Sequence, residues 1–194
     1  MNLKRIVYTF IILIITANII SCGAKKSHST GSDTGNTTTK SANMVERPAL
    51  FVPTLAPEAL PDDQKMLYVC EHYWDKFDFS DTTFVTRADT SNMLTSFAVY
   101  AVGCVPDSLA DKSMKSLMQK ASKSKKMFEY FLFLAETVLH DPNSQLRNDE
   151  KYIPILESAI RSQWLDEYER MPYEFDLSIA LQNRVGRPAN DFSY

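Results

Sequence analysis

The chain has 194 residues, 44% of them hydrophobic and 23% charged, a balance that fits one ordinary globular domain with appendages. Only five glycines occur, at 23, 31, 35, 103 and 186, which excludes the clustered glycines of a phosphate-cradling loop or a dinucleotide fingerprint, and three histidines (28, 72 and 140) are too few for a His-rich metal centre. Without the five bases and one acid of residues 1–44, there remain 16 basic and 23 acidic residues, a balance of −7. An acidic body argues against nucleic acid as a partner, because that binding is dominated by phosphate neutralisation.

Lys4 and Arg5 precede a 15-residue apolar run, Ile6 to Ile20, broken by Thr9, Thr16 and Asn18. The run is short of the roughly 20 residues needed to cross a bilayer and has the proportions of a signal-peptide core. It closes on Ile19-Ile20-Ser21-Cys22, an aliphatic residue three before a cysteine with a small residue just before it. This segment resembles the lipoprotein box of bacteria. The resemblance implies cleavage after residue 21, acylation at Cys22 and a stable lipid anchor, each buried methylene contributing about 0.8 kcal/mol. No acid follows Cys22 before Asp33, so nothing signals display on the cell surface. The expected location is the periplasm-facing side of the envelope, at the outer rather than the inner membrane.

Residues 22–45, rich in Ser, Thr, Gly, Asn and Lys, contain no aromatic side chain and are expected to form a disordered tether reaching roughly 25–30 Å. In 46–63, Pro48, Pro53, Pro57 and Pro61 alternate with Leu50, Phe51, Val52, Leu55 and Leu60. That spacing forbids helix and central strand and predicts an extended arm docked on the body.

From 64 to 184 the periodicity is helical. Met66, Cys70, Tyr73, Trp74 and Phe77 form the first stripe, with Asp62 or Asp63 as cap; Leu94, Phe97, Ala98, Ala101 and Cys104 form the second. Asp107 is the expected cap of a third helix, lined by Ala110, Met114, Leu117, Met118 and Ala121. The fourth carries Phe128, Phe131, Leu132, Ala135, Val138 and Leu139, with Tyr130, Phe133 and Leu134 on its other faces, and is expected to be the buried central helix. Asn148 or Asp149 caps a fifth, with Ile153, Leu156, Ala159, Ile160 and Trp164 on its stripe, and a sixth runs from about Tyr173 to Leu181. Pro154 and Pro172 are expected in first turns. Thr82 to Thr86 is the weakest candidate for a strand. The fold class is therefore all-α, a single bundle of five to six helices with a short C-terminal extended segment.

Few residues point to chemistry. Cys70 and Cys104 stand 34 apart on apolar stripes; buried thiols are the leading reading, a disulfide between them the alternative, and a catalytic thiol the least favoured. Asp75, Asp78, Asp81 and His72 read as solvated acids and turn caps rather than metal ligands. Asp141, Asn143 and Gln145 read as a helix stop, since Leu146 replaces the glycine that a calcium loop requires. Lys120, Lys123, Lys125 and Lys126 read as a solvated connector. No cofactor is expected.

The stretch Val185-Gly-x-Pro-Ala-x-Asp-Phe192 resembles the lead-in of thioredoxin-like domains of the TlpA and peroxiredoxin type. Phe192 and Tyr194 alternate as a strand would. In that family a CxxC pair follows some tens of residues later, beyond Tyr194. Tyr73-Trp-Asp-Lys-Phe-Asp-Phe79, Leu139 to Asn148 and Tyr152-Ile-Pro-Ile-Leu156 resemble an uncharacterised helical domain, a domain of unknown function, that stands between a lipoprotein signal and a thioredoxin-like domain in Gram-negative thiol-disulfide oxidoreductases. The resemblance covers roughly residues 60–194. It implies a non-catalytic accessory module, anchored at a membrane, that binds or positions a thioredoxin-like partner or its substrate, with Phe192 and Tyr194 as partner-binding residues. The rival reading is a stand-alone lipoprotein that binds a peptide or small molecule in a pocket lined by Tyr68, Tyr73, Trp74, Phe77, Phe128, Tyr130 and Trp164.

Overall fold

A computed structural model describes residues 48–182 and 184, all within one structural unit, Arg47–Tyr194. The signal segment, the tether, Phe192 and Tyr194 lie outside the described residues. The described part is all-α. Its helices are α1 (Asp62–His72), α2 (Phe84–Arg87), α3 (Thr90–Ala98), α4 (Ala110–Ala121), α5 (Lys125–Ala135), α6 (Asp149–Ile160) and α7 (Glu167–Gln182). Two of them widen into π turns at their ends, α3 through Val99–Cys104 and α5 through Glu136–His140. A 3-10 turn, Asp107–Leu109, leads into α4.

Local chemistry sets most boundaries. Ser124 accepts from the Met127 amide at 3.2 Å to open α5, Asn148 from the Lys151 amide at 3.0 Å to open α6, and Asp89 from the Asn92 amide at 2.8 Å to open α3. Thr82 to Thr86 is a turn running into α2 instead of a strand. The Asp81 carboxylate takes both the amide and the hydroxyl of Thr83 and so starts a helical turn there.

Several expectations need correction. α1 follows Pro61 without a side-chain cap; Asp62 is its first residue and pairs with Lys65 at 2.7 Å. Asp107 does not cap α4 either, since the 3-10 turn intervenes and its carboxylate lies 3.4 Å from the Lys151 amine. Met66 is exposed, and α1 stops before Tyr73, so Tyr73, Trp74 and Phe77 enter the core from a turn. Pro154 and Pro172 each stand at the sixth position of their helix, beyond the first turn. α7 begins six residues earlier than Tyr173. A reciprocal capping box opens it: Asp166 accepts from the Glu169 amide at 2.8 Å, and Glu169 accepts from the Asp166 amide at 2.9 Å.

The core forms around Trp74. Its ring stacks on Phe51 at 4.7 Å and meets Phe77, Tyr100 and Phe131 edge-on at 5.3–5.8 Å. Such pairs add to the burial of their large apolar areas. Phe51 comes from the proline-rich arm, which docks through its backbone as well. Ala49 donates to the Arg87 carbonyl at 2.8 Å, Phe51 to Asn92 Oδ1 at 2.8 Å and Thr54 to the Tyr73 carbonyl at 3.2 Å. Leu50, Val52 and Leu55 of the arm face outward. The predicted stripe of α4 is buried entire, and α5 buries Phe128, Phe131, Leu132, Leu134 and Ala135 while exposing Phe133.

α6 packs against both α4 and α7, and its first turn binds the two π ends. Lys151, only 4% exposed, donates to the Ala101 carbonyl at 2.8 Å and the Val105 carbonyl at 2.7 Å. The Asn148 amide donates to Leu139 at 2.9 Å, and the Ser144 hydroxyl to Val138 at 2.6 Å. Helix ends leave carbonyls without intrahelical donors, and buried ones cost free energy unless satisfied. Lys151→Met keeps the aliphatic stem but removes both hydrogen bonds. It should lower unfolding free energy in urea by about 2–4 kcal/mol, against less than about 0.5 kcal/mol for the exposed Lys126→Met.

Candidate functional site

The rings suggested as pocket lining are mostly core. Tyr73, Trp74, Phe77, Phe128 and Tyr130 are buried, and Trp164 is half-buried with its indole donating to the Ser122 carbonyl at 2.8 Å. Among the described residues, the surface clefts include two that touch candidate residues. The first, about 250 Å³, runs between α1 and α4 past Leu67, Cys70, Trp74, Ser113 and Lys112. The second, about 300 Å³, lies at the start of α6 and is acidic, with Asp107, Asp111, Glu150 and Glu157 around Arg184.

The acidic cleft is already cross-linked by the chain's own bases. Lys115 joins Asp111 and Glu157, the latter at 2.9 Å, and its amine is held above the usual lysine range by hydrogen bonds to the two acids. Arg184 grips Glu150 with two nitrogens at 2.7–3.1 Å, a fork that holds the Glu150 carboxyl below the usual carboxylate range. This pair ties Arg184, which directly precedes Val185 in sequence, to the first turn of α6.

Cys70 and Cys104 are both free and buried. The Cys70 sulfur lies 3.5 Å from the Ser113 hydroxyl. Burial pushes the Cys104 thiol up to about 12, with the neighbouring Cys70 adding to the effect. A reactive thiolate needs the opposite, an exposed site beside positive charge. Tyr73 and Tyr100, packed beside these sulfurs, are likewise raised by burial first and by the cysteines second.

The remaining candidates have local partners. His72 Nδ1 lies 2.6 Å from Asp75, Asp78 accepts from the Ser80 amide at 2.8 Å, and Asp81 binds Thr83 and Arg87. Asp141 accepts from the amide and side-chain nitrogen of Asn143, closing a turn. In the lysine group, Lys120 faces Asp75 at 3.9 Å and Lys125 pairs with Glu169 at 3.0 Å, while Lys123 and Lys126 are exposed. Among the described residues no group of three or more His, Cys, Asp or Glu side chains is placed to hold a metal ion. No single described helix is long and apolar enough to cross a membrane. The sequence reading missed the buried Lys151 entirely, because a lone lysine in an amphipathic helix reads as solvated; its partners, the Ala101 and Val105 carbonyls 50 and 46 positions away, have no local signature.

Comparison with known proteins places this geometry. None of the curated proteins compared with the chain matches it. Among solved structures, the chain is similar to a thioredoxin-like protein from Bacteroides caccae ATCC 43185, a crystal structure at 1.90 Å resolution, with 30% sequence identity and a TM-score of 0.66. The match covers 73% of this chain and 52% of that one, so the chain spans about half the length of this neighbour. The family described as a domain of unknown function (DUF5106) matches residues 21–183. The chain therefore belongs to that family, a helical domain associated with thioredoxin-like proteins.

Proposed function

We propose that this protein is a non-catalytic helical module that binds or positions a thioredoxin-like domain or its substrate, held at the periplasmic face of a membrane by lipid on Cys22. The observation that carries the reading is the solved neighbour: a thioredoxin-like protein shares this fold over about half its length, at 30% identity. The lead-in resemblance of 185–194 points the same way. Arg184, its neighbour in sequence, is bound to Glu150 of α6. An apolar strand segment is an aggregation liability unless something pairs with it, and Phe192 and Tyr194 are the side chains such a partner covers.

The thiols support a structural role. Both cysteines are buried, and Cys104 is held in its protonated form by burial, far from the low-pKa thiolate that disulfide exchange uses. A stand-alone binder would present its rings to solvent. Here five of the seven are buried in the core.

Two experiments test this reading. A tagged full chain should recover a protein with a thioredoxin-like domain from its host cells, and deletion of 185–194 should cut that recovery at least tenfold. Unchanged recovery would remove the role assigned to Phe192 and Tyr194, and no such protein with the intact chain would remove the function. Separately, Cys70 and Cys104 should resist alkylation at pH 7–8 until denaturant is added, and the purified chain should reduce no disulfide substrate. A folded pKa raised from 9.0 to about 12 for Cys104 makes its contribution to stability full below about pH 9. That contribution is lost as pH rises toward 12, so the melting temperature should begin to fall above pH 9. A flat profile to pH 11 would mean the thiols and tyrosines are accessible.

A further inference from the structure

α7 has two apolar faces. Its inner face packs Tyr173, Leu177, Ala180 and Leu181 against the core. Its outer face carries Tyr168, Met171, Phe175 and Ile179, spaced i, i+3, i+7 and i+11, and these side chains are 81%, 58%, 66% and 39% exposed. That spacing lays them in one stripe along a helix of 16 residues, about 24 Å long. Exposed apolar residues scattered singly need no explanation, but a contiguous stripe on one element marks an interaction surface. The inner face already anchors the helix, together with Lys125–Glu169 at its start and His140–Asp176 at 3.5 Å along its length. The outer face adds nothing to the fold, and it leaves aromatic and methionine side chains in water.

We infer that this outer face of α7 is the docking surface for a thioredoxin-like domain. The inference rests on the function proposed above and locates it. Three observations select this occupant. First, Val185 begins the lead-in segment just past Gln182, the last residue of α7, and Arg184 holds that junction on Glu150. Ten extended residues span at most roughly 35 Å, so whatever 185–194 leads into or pairs with lies within reach of the whole stripe. Second, the solved thioredoxin-like neighbour has about as much chain outside the shared fold as inside it, enough for a domain that could lie on such a face. Third, exposed acids flank the stripe on α7, Glu167 and Glu174, while Lys125 at the start of the helix is paired with Glu169 at 3.0 Å. A second copy would set these acids against each other, and an anionic lipid surface would be repelled by them. A separate domain with an apolar patch and a basic rim meets neither obstacle.

The test uses the full chain in its host cells with a photoreactive benzoylphenylalanine at position 168 or 175, and at exposed Leu55 of the arm as a control. Irradiation should give an adduct from 168 and 175 whose peptides come from a thioredoxin-like domain, and none with that domain from 55. Adducts from α7 only with a second copy or with lipid would overturn the inference. So would recovery of a thioredoxin-like protein by the tagged wild type without any adduct from α7. In a second arm, Met171→Glu with Phe175→Glu should lower recovery of that protein at least tenfold while the helical circular dichroism stays unchanged; equal recovery would overturn the inference and leave the proposed function standing. If this double variant fails to fold, the cross-linking arm decides alone. If the wild type itself recovers no thioredoxin-like protein, the proposed function fails and the docking surface with it.

Discussion

The first turn of α6 is the joint on which the bundle depends. Between Ser144 and Lys151, a backbone amide, a hydroxyl and an ammonium group meet the carbonyls that two π turns leave without helical partners. Burying a lysine is costly unless every proton finds an acceptor. Lys151 finds two carbonyls at 2.7–2.8 Å, with the exposed carboxylate of Asp107 at 3.4 Å as its counter-charge. The same turn is N-capped by Asn148, whose own amide satisfies Leu139. One short stretch therefore starts one helix and finishes two others. His140 then stacks on Tyr152 at 4.8 Å, which fixes the second π end sideways as well.

With α3 and α5 terminated in that way, the aromatic core has defined walls. Trp74 contacts rings from the arm, from the turn after α1, from the end of α3 and from the middle of α5. Phe51 is the link between this core and the proline-rich arm. Prolines leave the arm without a helical or sheet ladder, and its position depends on one buried ring and four hydrogen bonds between its backbone and the body. The closure of this core has a functional consequence. Most rings that could have lined a ligand pocket are spent on packing, and the cleft at α6 has its acids partly paired by the chain's own Lys115 and Arg184.

How legible this was in the sequence varied with the physics of each element. α4 buries one regular stripe, so period 3.6 alone located its core, Met114 and Leu117 among it, whereas α5 and α6 are buried on more than one face, and Tyr152 and Ile155 of α6 fall outside the stripe that periodicity picked. α7 was misread at its start because both its faces are apolar, which erases the contrast that periodicity needs. The signal that was available, Asp166-x-x-Glu169, is a capping box and local. Asp62 and Asp107 looked like caps, but Asp62 sits in the first turn with Lys65 and Asp107 answers Lys151 from 44 positions away. No pattern in a single sequence encodes that pairing. Of the candidate site residues, Cys70 and Cys104 were legible as buried from their stripes. The outer stripe of α7 was not legible as a surface, because its exposure follows from which face α6 covers.

The distribution of apolar side chains also bears on how this helical domain would serve a thioredoxin-like domain under the function proposed above. Thiol-disulfide exchange needs an accessible low-pKa thiolate, and both described thiols are buried, with Cys104 raised to about 12. What the domain offers instead is rigid geometry. Arg184 is tied to Glu150 on α6, and α7, held by its inner face, sets the direction of an outward apolar stripe. A partner seated on that stripe, as inferred above, would gain orientation at little entropic cost, because the inner face of α7 holds the helix before the partner arrives. On the proposed reading, this helical domain contributes placement, and the chemistry falls to the domain it places.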